Sequence, residues 1–139
     1  MTVKTCELSF PSKGNTDIIE ITDEVEETIR QSGIKDGCAV VFVTGSTAGI
    51  TTVEYESGLV QDLKEMFERI IPSDEAYHHD AKWGDGNGHS HVRASLLKSG
   101  ETFPFKDQKL LLGTWQQIIL IDFDNRPRTR RIIVQIMGE

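Results

Sequence analysis

Apolar and polar positions along the chain change period several times, and each change marks an element. Residues 2–10 alternate, with Cys6, Leu8 and Phe10 on one face, which predicts a strand. "TDIIEIT" predicts a second strand. A helix is then expected from Asp23, with Glu26 as capping-box partner and Gly33 as its stop. "CAVVFVT" is a continuous β-branched and aromatic run, the pattern of a central strand buried on both faces. After the loop "GSTAG", "ITTVEYE" is again rich in strand-forming residues. Leu59, Leu63, Phe67 and Ile70 then follow helical spacing behind Ser57, and Pro72 ends that helix.

From Ser73 to Ser90 no period is visible, and the stretch is polar. Connections of that length inside compact domains tend to carry function. A short helix is expected from about His91 to Lys98. The remainder gives "ETFPF", "KLLLGTWQQIILIDF" and "RTRRIIVQIM" as strands, with a hairpin turn at "DFDNRPR" and Trp115 in the core. Gly113-Thr114 reads as a bulge or close backbone approach. The order is strand-rich without alternating βα units. It predicts an α+β protein, a single domain over residues 1–139, with packed, mainly antiparallel or mixed sheets and two to three short helices.

Composition adds limits. A chain of 139 residues can bury a core without disulfides or structural metal. No apolar run approaches the roughly 20 residues that cross a bilayer. The N-terminus carries no secretion-signal pattern. Cys6 and Cys38 form no CxxC, and Cys38 is expected as a free buried thiol. These features make the cytoplasm the default compartment. A net charge of −7 opposes general nucleic-acid binding and adhesion to acidic membranes. Against that background "RPRTRR", with four arginines between Arg126 and Arg131, is a candidate anion site. Arg130 alternates with Ile132 and Val134, so its charge starts on an apolar face and calls for an ion pair, an interface or an anion.

All four histidines, His78, His79, His89 and His91, fall inside "HHDAKWGDGNGHSH". On extended backbone, His89 and His91 would project the same way and present two imidazoles to one cation. One or both of His78 and His79 would complete a three-nitrogen site, with water or Asp80 in the open position, suited to Zn²⁺ or a related transition metal. The bland alternative is a loop in which the imidazoles only cap and fill. "TGSTAGITTVEYE" offers glycine-permitted backbone plus the Ser46 and Thr47 hydroxyls at a strand end, which can hold phosphate or carboxylate. It lacks the lysine of a phosphate-binding P-loop and is not GxSxG.

In order, the Ser/Thr-Ala loop, a Glu, a helix containing Asp, "YxHD", "SH" before a helix, "GTWQ" and a basic final strand resemble the YjbQ-like family, also labelled secondary thiamine-phosphate synthase. The resemblance covers nearly the whole chain, and "LGTWQQI" is its most specific segment. It implies a compact α+β fold assembled as a homotrimer, with sites in clefts that contain the histidines. It places Glu54, Asp62, His79, Asp80, His91, Gly113, Thr114, Trp115, Gln116, Arg130 and Arg131 on motif positions. The family's loop commonly opens with His where this chain has Gly45, and His78 or His89 is a candidate replacement.

The implied activity joins a hydroxymethylpyrimidine diphosphate to a thiazole phosphate and releases pyrophosphate. Expected roles follow from these two lines of reading. His79, His89 and His91 hold metal, Glu54, Asp80 and Arg130 serve catalysis, and Ser46, Thr47, Thr114, Gln116 and Arg131 bind a small phosphorylated substrate. Two rivals stand beside that activity: metal-dependent hydrolysis, and a trimer that binds metal or anion without catalysis.

Overall fold

Two antiparallel sheets carry the chain in the computed structural model, which describes all of residues 1–139. The elements in order are β1 (Thr2–Ser12), β2 (Asp17–Glu20), α1 (Thr22–Ser32), β3 (Gly37–Val43), β4 (Ala48–Val53), α2 (Ser57–Ile70), α3 (His78–Trp83), α4 (Gly88–Leu97), β5 (Gly100–Lys106), β6 (Lys109–Leu110), β7 (Gln117–Asp122) and β8 (Arg128–Gly138). The larger sheet has the order β1-β8-β3-β5-β6, and the smaller one β2-β7-β4. The α+β expectation holds, with four helices where two or three were expected.

Burial follows the sequence periods. β3 and β8 lie inside the large sheet, and Ala39, Val41, Val43, Ile132, Val134 and Ile136 face a core shared with Val25 and Ile29 of α1. Cys6, Leu8 and Phe10 of β1 pack against the same cluster, as their alternation requires. β7 has no polar face inside its sheet. Ile118 and Leu120 point to the main core, while Ile119 and Ile121 join a second cluster with Phe67 of α2 and Phe123. The Phe67 and Phe123 rings meet edge to face with centroids 4.8 Å apart.

Several local expectations fail for identifiable reasons. α1 starts at Thr22 without a side-chain cap. Glu26 instead accepts the Leu110 N–H (3.0 Å) and pairs with Arg30, so the capping box does not form. α2 is capped by the Glu56 carboxylate, which accepts from the Gly58 and Leu59 N–H groups. Ile70 is exposed and Ile71, past the helix end, is buried in its place. Cys38 is only half buried, and both cysteines are free. Trp115 is 73% exposed in the loop before β7 rather than in the core. The "DFDNRPR" segment is not a hairpin turn: β7 and β8 belong to different sheets, and the segment carries the chain from one to the other.

The most consequential difference lies between Ser73 and Ser90. This stretch holds α3, too short to show a period, and the first turn of α4, which begins at Gly88, three residues before the expected start at His91. Pro72 does end α2. Its carbonyl then accepts the Tyr77 hydroxyl (2.6 Å), while Glu68 accepts both N–H and Oγ of Ser73 (2.8 Å each). Those bonds turn the chain back toward the sheet and set α3 beside α4.

Candidate functional site

One cleft collects most of the chemistry. It has a volume of about 580 Å³ and is lined by Gly45, Ser46, Thr47, Asp85, Asn87, His91, Asp124, Asn125, Arg126, Arg128 and Arg130, with no hydrophobic side chain among them. Three chain segments meet there: the β3–β4 loop, the α3–α4 region, and the β7–β8 link.

The link supplies its floor. Asp122 ends β7 and is fully buried, as is Asp124 two residues later, while Phe123 between them points into the second core. Arg130 lies across from Asp122 and binds it through two parallel bonds, Nε to Oδ2 and Nη2 to Oδ1, each 2.7 Å. Nη2 also donates to Thr47 Oγ1 at 2.6 Å, and Thr47 donates in turn to Asp124 Oδ2 at 2.9 Å. Asp124 Oδ2 further accepts from Asn87 Nδ2 (3.2 Å) and Arg128 Nε (3.1 Å). Burial by itself would raise the Asp124 carboxyl. The bonds from Thr47, Asn87 and Arg128 outweigh it and hold the group below its ordinary value, so it is a carboxylate at neutral pH.

The Thr47 hydroxyl is therefore already committed on both sides, and it orders Arg130 against Asp124 instead of facing a ligand. Ser46 is exposed at the rim and remains available. Arg130 keeps Nη1 free, and the Arg126 side chain has no ion-pair partner.

The histidine end depends on α4 starting at Gly88. A Cβ there would sit 2.5 Å from Tyr77 Cβ and 3.0 Å from Asp80 Oδ1, so only glycine lets the helix approach α3 this closely. Its N–H donates to Asp80 Oδ1 at 2.8 Å. Because His89 and His91 stand on this helix and not on extended backbone, they diverge by about 200° around its axis. The expected parallel pair does not form.

His91 lines the cleft, and its ring lies 4.4 Å from that of His79 on α3. His89 turns into the protein, near Tyr77 (6.4 Å between rings), with Nε2 3.4 Å from Ser90 Oγ and Nδ1 unpartnered. Burial lowers the His89 imidazole, and nearby Arg93 adds to the effect. Burial, then the adjacent His79, lowers His91 as well, so both are neutral at pH 7.

A different donor set assembles around His79. Its Nδ1 is shielded from solvent and makes no hydrogen bond, although Asp85 Oδ1 lies 3.4 Å away and Asp80 Oδ1 3.6 Å away. His79, Asp80 and Asp85 place one ligand atom each within 4.8 Å of one another. One imidazole and two carboxylates around an unpaired nitrogen fit a divalent cation by donor chemistry. His89 is not part of this group, and Asp80 enters it as a ligand type rather than an acid–base group.

The remaining expected residues lie elsewhere. Glu54 is exposed just beyond β4. Thr114 and Gln116 are exposed in the loop before β7, where Gln116 Nε2 donates to Thr52 Oγ1 at 3.1 Å. In the β4–β7 ladder Ala48 stands opposite Asp122 and Val53 opposite Gln117, so these three residues occupy the end of the small sheet away from the cleft. Arg131 points to the opposite face from Arg130 and pairs with Glu7 at 2.6 Å on the surface. Neither His78 nor His89 lines the cleft near Gly45, so neither replaces an imidazole there.

Asp122, Asp124 and Asn87 were missed by sequence reasoning. For the two aspartates the one signal is "LIDFD", two acids bracketing a buried aromatic at the end of an apolar run.

The fold of two antiparallel sheets is shared with solved proteins of the YjbQ-like group. The family model for UPF0047 protein YjbQ-like matches residues 6–139, and the chain belongs to that family. A UPF0047 protein from Archaeoglobus fulgidus is 37% identical over 131 residues, covering 94% of this chain and 99% of its own. One from Methanothermobacter thermautotrophicus is 39% identical over 139 residues, covering 100% and 95%. Among solved structures, a YbjQ-like protein of unknown function from Sulfolobus solfataricus superposes with a TM-score of 0.89 at 33% identity, covering 99% of this chain and 100% of that one.

Proposed function

We propose that the cleft binds a small phosphorylated substrate beside a divalent cation and that the chain is a metal-dependent enzyme acting on it. One observation carries this reading: Arg126 and Arg130, with free guanidinium edges, line one cavity without apolar side chains together with Asp85 and His91, and directly behind these two lies the unpaired His79 Nδ1, 3.4 Å from Asp85 Oδ1.

Electrostatics links the two ends. Arg126, Arg128 and Arg130 are matched by Asp85 and Asp124, which line the cleft with them, and by Asp122 beneath Arg130, so the protein charges there balance. Bringing a divalent ion to His79, Asp80 and Asp85 turns the balance positive and favours an anion. Such an ion, Zn²⁺ for example, supplies Lewis acidity toward a phosphoryl group. Arg130, fixed by Asp122 and Thr47, offers its Nη1 donors to phosphate oxygens from a preset position. Neutral His91 stands where it can accept a proton within the cleft.

The resemblance suggests the joining of a hydroxymethylpyrimidine diphosphate to a thiazole phosphate. The cleft suits the phosphate groups of such substrates better than their rings, since no hydrophobic side chain lines it. Phosphate-ester hydrolysis at the same site needs less of the cavity and is the second reading; binding without turnover is the third.

The trimer implied by the resemblance has a physical motive. Glu54, Thr114 and Gln116 lie at the far end of the small sheet, beside the exposed Trp115, and would join a cleft only by reaching into that of a neighbouring copy.

Assays of purified protein for thiamine-phosphate formation and for phosphate-ester hydrolysis, with and without added Zn²⁺, test the proposal. Activity in either assay that needs metal and falls at least 100-fold in Arg130→Ala and His91→Ala supports it. If metal and phosphate bind with no turnover, the cleft is a binding site and the enzymatic reading fails. Light scattering checks the trimer; a monomer in solution would remove Glu54, Thr114 and Gln116 from the site.

A further inference from the structure

Behind the Gly45–Ser46 backbone lies a second cavity of about 360 Å³, lined by Gly45, Ser46, Ala48, Ala94, Ser95, Lys98 and Ser99. It shares Gly45 and Ser46 with the arginine cleft, so those two residues form a saddle between the two spaces. Three observations converge on the saddle.

Gly45 has φ of +128°, and a Cβ added there would lie 2.9 Å from Arg130 Nη1. The absence of a side chain keeps open the approach to the one Arg130 nitrogen that no protein group uses.

Lys98 makes no ion pair and its side chain makes no hydrogen bond, although it borders the second cavity. It is the cation there.

Lys98 also has φ of 81° and ψ of 158°, a region that is essentially reserved for glycine and strained for any other residue. The strain is held by its N–H donating to Ala94 O (2.8 Å) and its carbonyl accepting the Ile50 N–H (3.1 Å). A glycine would satisfy both bonds without strain, so the fold alone gives no reason for a lysine. Strain concentrated at a cavity rim, on a residue whose only unused asset is its charge, points to a ligand.

We infer that the ligand has two anionic groups and straddles the Gly45–Ser46 saddle, one group on Arg130 Nη1 and Arg126, the other on Lys98. This rests on the anion-binding reading above and specifies its substrate class as a bis-anion, such as a diphosphate or a molecule phosphorylated at two positions. Lys98 is then the residue that separates such ligands from simple monophosphates.

Calorimetric titration of the full chain with orthophosphate, pyrophosphate and propane-1,3-bisphosphonate tests this, using wild type and Lys98→Gly in one buffer with constant metal. Complexation in solution then cancels between variants. We expect at least one bis-anion to bind wild type tenfold or more tighter than orthophosphate. Lys98→Gly should lose most of that preference, keep orthophosphate affinity within twofold, and melt no lower than wild type because the strain is relieved.

No preference in wild type, or equal losses for all three ligands, overturns the inference while leaving the anion site standing. A preference unchanged in Lys98→Gly overturns it too. Failure of all three to bind wild type removes the anion-binding reading itself, and this inference with it.

Discussion

Arg130 on β8 and Asp122 on β7 join the two sheets through a buried bidentate pair, with both bonds at 2.7 Å. The same guanidinium reaches Thr47 on the neighbouring loop, so one residue ties three segments together at the cleft floor. Removing one partner of a buried pair leaves an uncompensated charge. Asp122→Ala should destabilise the fold by about 3–5 kcal/mol, read as a lower urea midpoint with an unchanged slope. Phosphate affinity should fall with it, because Arg130 loses its fixed direction.

Metal binding should separate the histidines. His79→Ala is expected to abolish tight Zn²⁺ binding and Asp85→Asn to weaken it by at least tenfold. His89→Gln should leave stoichiometry and affinity unchanged, since that ring faces away from the cleft. Zinc titration with a competing chromophoric chelator reads all three. Full zinc affinity in His79→Ala would sink the donor set of His79, Asp80 and Asp85.

Metal and anion should bind cooperatively. Saturating the cation site is expected to raise phosphate affinity by about 5–150-fold, and phosphate must raise metal affinity by the same factor. Two calorimetric titrations, run in either order, check the reciprocity. Independent binding would mean that the metal does not face the arginine cleft.

Stability should fall on mild acidification. The imidazoles of His89 and His91 sit below the ordinary value of 6.5 in the folded protein. Above about pH 6.5 neither the folded nor the unfolded form binds these protons, and their contribution is whole. As the pH drops below that value the unfolded chain takes them up first, and stability is lost until the folded pKa values are passed. Melting temperatures between pH 7.5 and 5 should show that decline in metal-free protein. His89→Gln should make it shallower, whatever its effect at pH 7.5.

Long periods were easy to read in this sequence. β1, β3, β8 and α2 follow from alternation or helical spacing, and Arg130 was marked by its place in the Ile132–Val134 series. α3 leaves no mark in the pattern because six residues, His78–Trp83, are too few to carry a period, and the consequence spreads. On a loop through residues 88–90, His89 and His91 would form a parallel pair, whereas the helix sends them to opposite environments. Trp115 illustrates the reverse failure. The apolar run beginning at Lys109 suggests one strand, but β6 stops at Leu110 and β7 begins at Gln117, leaving the indole outside. Asp122 and Asp124 could not be told from surface acids, because what buries them is the crossing between sheets, a tertiary event that no local pattern records.

That crossing also offers a route to the natural ligand. The cleft is assembled from residues near 45, 85–91 and 122–130, which are far apart in an unfolded chain. A molecule that fills it therefore binds the folded form alone and stabilises it by mass action, about 2.7 kcal/mol at a hundred times its dissociation constant. Heat resistance thus becomes an assay for occupancy that requires no knowledge of the reaction. A metabolite collection screened by melting temperature, with and without Zn²⁺, would rank candidates directly, and Arg130→Ala would expose those that bind anywhere else.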